Sequence, residues 1–527
     1  MTFNLSRRTF ASMIALTAAT SASGAMAQGR VARQATLDLT KATTPVDRFF
    51  DLSVGADYSG TTIREANLAQ LETAVDELGF RYIRFHDIFH DDLGTVKLVD
   101  NKVVYDWTKI DYMYDRFLKM GIRPFIELGF TPSAMKSADQ TIFYWKGNVS
   151  HPRLDMWEHL IDAFARHLIA RYGLEEVRTW YFEVWNEPNL DGFWRFADQE
   201  AYFALYGVTA RTLKAVDPKL RVGGPSTAGA AWVPELMAYA KATNTPVDFV
   251  TTHTYGVDYG YLDEEGKMDL QLSKNPNAVI GDVKKVRAEI EASHLPGTPL
   301  YFTEWSTSYN PRDISHDSYV AAPYIVSKVR GVQGVAQGMS YWVYSDLFEE
   351  PGPPGGPFHG GFGLMTKDGV RKASWFTYKY LNALKGMEIP TTDAQVWAAV
   401  DGQSVAAVLW DFQLPDQKGR SNGTFFSKLV PNRKSEPVKL SLTGLTPGKF
   451  ALKINRTGYK KNDAQSLWIE MGSPQELTPA QLAKLQDATR DLPETERVVT
   501  VGRDGTAEVR VAMNTNDVVL VKLTPLG

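Results

Sequence analysis

Thr179-Trp180-Tyr181-Phe182-Glu183-Val184-Trp185-Asn186-Glu187-Pro188 runs from an aromatic-rich stretch of strand formers into an Asn-Glu pair, where a proline breaks the pattern. A second carboxylate ends a comparable stretch, Leu300-Tyr301-Phe302-Thr303-Glu304-Trp305. A lone glutamate at a strand end is ordinarily solvated or ion-paired. Two of them, on separate strands, are what acid/base-plus-nucleophile cleavage of a glycosidic bond requires.

Working outward, six more short runs of β-formers punctuate the chain: Asp51-Val54, Tyr82-His86, Arg123-Gly129, Arg221-Gly224, Phe249-Thr252 and Ser340-Tyr344. Amphipathic stretches lie between them, among them Ala66-Leu78, Trp107-Lys119, Met156-Tyr172, Glu200-Val216, Val279-Ala292 and Tyr319-Ala336. Eight strand-helix repeats over residues 46–386 give the count of a closed (β/α)8 TIM barrel, an α/β fold whose active site lies on the loops after the strand C-termini. An open doubly wound sheet is the rival, but no strand leads into a Gly-rich phosphate loop.

From residue 387 to 527 the pattern changes to short alternating strands, Val396-Val400, Ser404-Asp411, Val438-Leu442, Phe450-Asn455, Thr506-Val511 and Val518-Leu523, which predict an antiparallel β-sandwich. Pro415-Pro437 and Gly458-Arg497 are read as long loops, the second with one helix at Pro479-Thr489. Residues 28–45 hold a further strand, Ala35-Leu39, expected to join the sandwich and tie the two ends of the chain together.

Residues 1–27 read as a twin-arginine signal peptide: Ser6-Arg7-Arg8-Thr9-Phe10, a short apolar run, then Ala25-Met26-Ala27. The expectation is export to the periplasm or beyond. The apolar run is too short to span a bilayer, and no other span is present. The 527 residues include no cysteine, which excludes disulfides, thiolate metal sites and a thiol nucleophile. With 57 Lys and Arg against 61 Asp and Glu and no basic run, nucleic acid is not expected as a partner. Long sandwich loops leave a homo-oligomer open.

Glu187 is the candidate proton donor, in aromatic surroundings (Trp180, Trp185, Trp194) that would raise its pKa by desolvation. Glu304 is the candidate nucleophile. Asn186 can hydrogen-bond the hydroxyl beside the reacting carbon. His253 and Tyr255, after the sixth strand, offer ring donors to that carboxylate or to the sugar. Glu349 and Glu350, after the eighth strand, offer acceptors for sugar hydroxyls, although a solvated acidic loop would read the same way. Phe130, Trp305, Tyr309 and Trp342 are candidates for a stacking wall. No metal or cofactor is required: His-Glu-x-x-His is absent, Asp91-Asp92 beside His86 and His90 reads as loop polarity, and no Gly-x-Ser-x-Gly elbow occurs.

At these residues the chain resembles glycoside hydrolase family 39, and within it the bacterial β-xylosidases. The matching stretches are Gly79-Phe80-Arg81-Tyr82-Ile83-Arg84-Phe85-His86, Val184-Trp185-Asn186-Glu187-Pro188-Asn189-Leu190, Thr303-Glu304-Trp305-Ser306-Thr307-Ser308-Tyr309, Tyr341-Trp342-Val343-Tyr344-Ser345-Asp346 and His359-Gly360-Gly361-Phe362-Gly363-Leu364. The resemblance implies a retaining mechanism, with Glu187 as acid/base and Glu304 as nucleophile. It implies sugar contacts at His86, Asn186, His253, Tyr255, Trp342, Glu349 and Glu350, with His359 in the last matching motif. Asp87 stands where a glycine is expected, and Trp305 where phenylalanine is common. The expected activity is that of an exo-acting β-xylosidase on oligosaccharide or aryl glycosides. Other specificities of the family, namely arabinopyranosides, glucosides, iduronides or endo-acting exopolysaccharide hydrolysis, stay open, as do transglycosylation and a non-catalytic carbohydrate-binding role. The Glu349-Glu350 pair would repel the carboxylate of an iduronide.

Overall fold

The computed structural model describes residues 32–526, apart from positions 101 and 264. The expected leader, residues 1–27, lies outside the described residues. Eight parallel strands close a barrel in sequence order: β1 (Ser53–Tyr58), β2 (Tyr82–His86), β3 (Arg123–Leu128), β4 (Tyr181–Val184), β5 (Arg221–Thr227), β6 (Phe249–Tyr255), β7 (Leu300–Ser306) and β8 (Gly338–Tyr341). β8 returns to β1 through the pair Tyr341 and Val54.

Helices cover the barrel, so both strand faces are buried and the strands read as nearly continuous apolar runs. In Thr108–Met120 the buried residues Ile110, Met113, Tyr114 and Phe117 fall at helical spacing, and Gly121, with φ of 83°, ends the helix. The inward face of the strands behaves differently. Arg84 and His86 on β2, Glu127 on β3, Glu183 on β4 and Glu304 on β7 are charged and buried together inside the upper barrel.

Most barrel strands differ from the sequence reading by a few residues at their ends, and in two the departure has a clear cause. β1 starts at Ser53 rather than Asp51, because Phe49–Asp51 forms a turn of 3-10 helix whose Asp51 is taken up by Arg48. β8 ends at Tyr341, and Trp342 to Tyr344 continue as irregular backbone held by Tyr344 N donating to Gly55 O (3.1 Å) and Leu364 N donating to Val343 O (3.1 Å). Gly55 is required there: a Cβ on it would lie 2.3 Å from the Trp342 ring.

The second domain packs a seven-stranded sheet against a three-stranded one, with an apolar core between them. Strand Arg33–Asp38 pairs in parallel with Val438–Thr443, and Thr44–Pro45 joins Met387–Ile389 in the larger sheet. The segment expected to be loop from Gly458 to Arg497 instead holds a helix at Ala464–Glu470, besides the one at Pro479–Ala488, and ends in the strand Thr495–Val501. That strand is a sheet edge with mostly exposed side chains, so it carries no inward apolar alternation to reveal it. Pro415-Pro437 contains a short helix, Asn422–Phe426, capped by Ser421. No helix among the described residues is long and apolar enough to cross a membrane.

Candidate active site

Glu187 stands on a strained elbow. Trp185 and Glu187 both take positive φ (71° and 46°), and Glu187 N donates to Ser226 O on β5 at 2.7 Å. The turn aims the Glu187 carboxyl at His253 on β6, whose Nδ1 is 2.9 Å from Oε1. Burial pushes the Glu187 pKa well above the ordinary carboxylate value, and the Glu304 charge adds to the shift. Burial, and the Arg84 charge after it, drive His253 the other way, well below its usual value, so the ring is neutral. Its Nε2 lies 3.4 Å from Ser226 Oγ.

Glu304, at the C-terminal end of β7, is held on both oxygens. Arg84 Nη1 donates to Oε1 at 2.7 Å, and the Tyr255 hydroxyl donates to Oε2 at 2.8 Å. Burial raises its pKa, while the positive charges of Arg84 and His86 and the phenol bond all favour the anion. The carboxyl proton of the pair therefore belongs on Glu187. Oxygens of Glu187 and Glu304 and a ring nitrogen of His253 lie within 4.8 Å of one another. A cation would accept that spacing, but a neutral imidazole, a protonated Glu187 and the adjoining Arg84 guanidinium leave little negative charge to hold one.

Arg84 is the hub beneath this pair. Fully buried, it donates from Nε to Glu183 (2.5 Å) and from Nη2 to Asn186 Oδ1 (2.7 Å), with Glu127 2.9 Å away. Accepting through Oδ1 fixes the Asn186 amide, which lines the cavity and keeps its NH2 as a free donor for a sugar hydroxyl by that assignment. His86 bridges Glu127 (Nδ1, 2.7 Å) and Glu350 (Nε2, 3.2 Å). Burial opposes a charge on this ring, but Glu127, Glu350 and Glu304 outweigh it and carry its pKa well above the usual value. Asp87, next in sequence, has φ of 53°, the left-handed region that glycine favours and aspartate tolerates, which explains how it replaces the expected glycine.

These groups open onto one cavity of about 530 Å³, a size suited to a small-molecule ligand. His86, Asn186, Glu187, Tyr255, Glu304, Tyr309, Trp342 and Glu350 all line it, and His253 supports it from behind. Four expected contacts do not face it. Glu349 turns outward into an ion pair with Arg64 (2.5 Å), while its backbone N–H donates to the buried Asp57 (2.8 Å). Phe130 is fully buried behind Trp185 and Trp145, with ring centroids at 5.4 and 5.9 Å. His359 faces the Gly356 carbonyl through Nδ1 (2.8 Å). Trp305 likewise is core, edge-on to Tyr341.

Sequence reading missed Arg84, Glu127, Glu183, Asp57, Tyr259 and Phe362. For the first three the signal was present: charges inside strands otherwise largely apolar, on the strand of His86 or on the two strands that follow it. Phe362 reaches the cavity because its glycine loop is clamped, with Gly363 N donating to Asp346 and Gly360 N to Asp317, both at 2.7 Å. Buried Lys372 Nζ joins those aspartates at 2.7 and 2.6 Å. Gly361 allows the approach, since a Cβ would sit 2.4 Å from Asp346 Oδ1.

The family described as Glycosyl hydrolases family 39 matches residues 34–507. A beta-xylosidase of Geobacillus stearothermophilus is 36% identical over 484 residues, 89% of this chain and 91% of that relative. Among solved structures, a monomeric beta-xylosidase from Caulobacter crescentus CB15 is 64% identical with a TM-score of 0.93, covering 94% of this chain and 100% of that one. A GH39 enzyme from Xanthomonas axonopodis pv. citri is 61% identical with a TM-score of 0.94, covering 94% of this chain and 98% of that one. The likeness extends over barrel and sandwich together, and the chain belongs to glycosyl hydrolases family 39.

Proposed function

We propose that the protein is a retaining exo-β-xylosidase that releases xylose from xylo-oligosaccharides. The observation that carries this reading is the pair Glu187 and Glu304, with oxygens within 4.8 Å, facing one cavity. Retaining enzymes hold their carboxyls about 5–5.5 Å apart, whereas inverting ones need about 6.5–9.5 Å to admit a water. Glu304 attacks the anomeric carbon as the bond to the leaving oxygen breaks, and the Glu187 proton goes to that oxygen. In the second half, Glu187 takes a proton from water, whose oxygen attacks the same carbon and displaces Glu304.

The cavity chemistry favours a neutral sugar. Among the described residues its wall contains no lysine or arginine, and Glu350 stands ready to accept hydroxyl hydrogens. A uronic acid would meet the carboxylates of Glu304 and Glu350, and the one cationic ring in the wall, His86, is already engaged by Glu127 and Glu350. The Geobacillus and Caulobacter relatives, both beta-xylosidases, point the same way. Purified protein acting on an aryl β-D-xylopyranoside should release β-xylose before mutarotation, seen as the anomeric proton signal. α-Xylose as the first product would overturn the assignment of Glu304, and so would a Glu304→Gln variant with near wild-type turnover.

Two further parts of the reading concern the protein in its setting. Ser6-Arg7-Arg8 and Ala25-Met26-Ala27 support twin-arginine export with cleavage after Ala27, which N-terminal sequencing of secreted protein tests. A monomer is supported by the use of the long sandwich loop within its own chain, where Asn422 Nδ2 donates to Asp313 at 2.8 Å, and by the monomeric Caulobacter relative. Light scattering of the mature protein tests it.

A further inference from the structure

Three tyrosines climb from the nucleophile to solvent. Tyr255 donates to Glu304, Tyr309 meets the Tyr255 ring edge-on with centroids 6.2 Å apart, and Tyr259 lies 5.9 Å beyond Tyr309 at a tilt of 39°. All three line the same cavity. Exposure rises along the series, to 41% at Tyr309 and 73% at Tyr259. Across the mouth stand Leu190 and Phe193, on the loop that follows Glu187. The leaving oxygen must reach the Glu187 proton, so whatever is attached to that oxygen emerges between these two walls.

A ring as exposed as Tyr259 contributes little to folding, and its support is nonetheless built. It rides on the hairpin of Val257–Leu262 and Met268–Leu272. The second strand of that hairpin is pinned to the sandwich domain, with Leu272 N donating to Asn422 Oδ1 and Gly423 N donating to Asp269 Oδ2, both at 3.0 Å. A pair of exposed aromatic rings, one of them on a pinned hairpin and both continuous with the reacting centre, suits the apolar C–H face of a sugar ring. Asp282, which also lines the cavity and accepts from Thr254 Oγ1 at 2.6 Å, favours a neutral ring over an acidic one.

We infer that Tyr259 and Tyr309 form the stacking platform for the second pyranose ring of a β-linked xylo-oligosaccharide, the leaving half of the substrate. The inference rests on the β-xylosidase reading above and names the ring that the mouth of the same site selects.

The test compares Tyr259→Ala, Tyr309→Ala and the double variant on xylobiose, on β-D-xylopyranosyl fluoride, whose leaving group has no ring, and on an aryl β-D-xylopyranoside. The ratio of kcat/KM for xylobiose to that for the fluoride should fall about tenfold in each single variant, chiefly through KM, and further in the double. Tyr→Phe at either position should restore the ratio, because the ring face and not the hydroxyl makes the contact. An unchanged ratio overturns the platform, whether the two rates hold or fall together. A loss confined to the aryl substrate also overturns it, by making an aromatic aglycone the occupant. Wild-type turnover of the fluoride but not of xylobiose sinks the platform alone, and turnover of neither sinks the β-xylosidase reading with it.

Discussion

Tyr255 and Glu304 share a 2.8 Å hydrogen bond that favours the anion of the nucleophile. Removing it with Tyr255→Phe leaves a buried carboxylate one donor short. We expect kcat/KM to fall about 10- to 100-fold, the worth of a hydrogen bond to a charged group. The Glu304 pKa should rise with the loss of the donor, so the acid limb of the kcat/KM profile should move to higher pH. A pH series on an aryl xyloside reads both effects.

Arg84→Met should be severely destabilising. The guanidinium contacts Glu127, Glu183 and Glu304 inside the barrel, and removing one partner of a buried ionic cluster costs about 3–5 kcal/mol. Arg84→Lys should recover little, since one ammonium cannot reproduce the planar fork that reaches Nε, Nη1 and Nη2 partners at once. Calorimetric unfolding of both variants checks this.

Glu187→Gln should separate stability from function. In the fold Glu187 has a pKa raised well above the 4.5 of an ordinary glutamate, whereas the unfolded chain ionises near that value. The stability this group contributes is therefore full below about pH 4.5 and is lost as pH rises through the folded pKa. At pH 7 the Gln variant should be the more stable of the two, with the difference vanishing near pH 4. Its turnover of xylobiose should collapse for want of a proton donor, and added azide should accelerate it on a substrate with a good leaving group.

Glu349 and Glu350 are neighbours with opposite fates, and substitution should show it. Glu349→Ala loses an ion pair with the half-exposed Arg64 and should change kcat/KM by no more than about twofold. Glu350→Ala removes a cavity carboxylate and a partner of His86, and should cost at least about tenfold. Steady-state kinetics on one xyloside suffices.

The alternation of the chain makes the barrel and the positions of Glu187 and Glu304 legible, because strand-end residues keep their place once the strands are found. Side-chain direction at the loop ends is less legible. Glu349 and Glu350 read alike in sequence, and contacts distant along the chain, the bond from Glu349 N to Asp57, 292 positions away, with Arg64 on one side chain and His86 on the other, turn one outward and the other in. Phe130 shows the same limit, since both a stacking wall and a core position call for an aromatic ring. The inward charges at Arg84, Glu127 and Glu183 were visible as interruptions of apolar strands, but their meaning lies in a network drawn from four strands. The edge strand Thr495–Val501 hides because it buries too little to leave a pattern.

The parallel pairing of Arg33–Asp38 with Val438–Thr443 has a consequence for biosynthesis. The first strand leaves the ribosome early, and its partner follows roughly 400 residues later, a wait of roughly 20–80 s at ordinary elongation rates. Every barrel strand is made within that interval, so the catalytic domain can close while the strand that precedes it still has no sheet to join. Val518–Leu526, which sits between Ser404–Trp410 and Gly448–Thr457 in the larger sheet, is made after both of those neighbours. The larger sheet can be completed only once Val518–Leu526 has emerged, when all eight barrel strands have long been made.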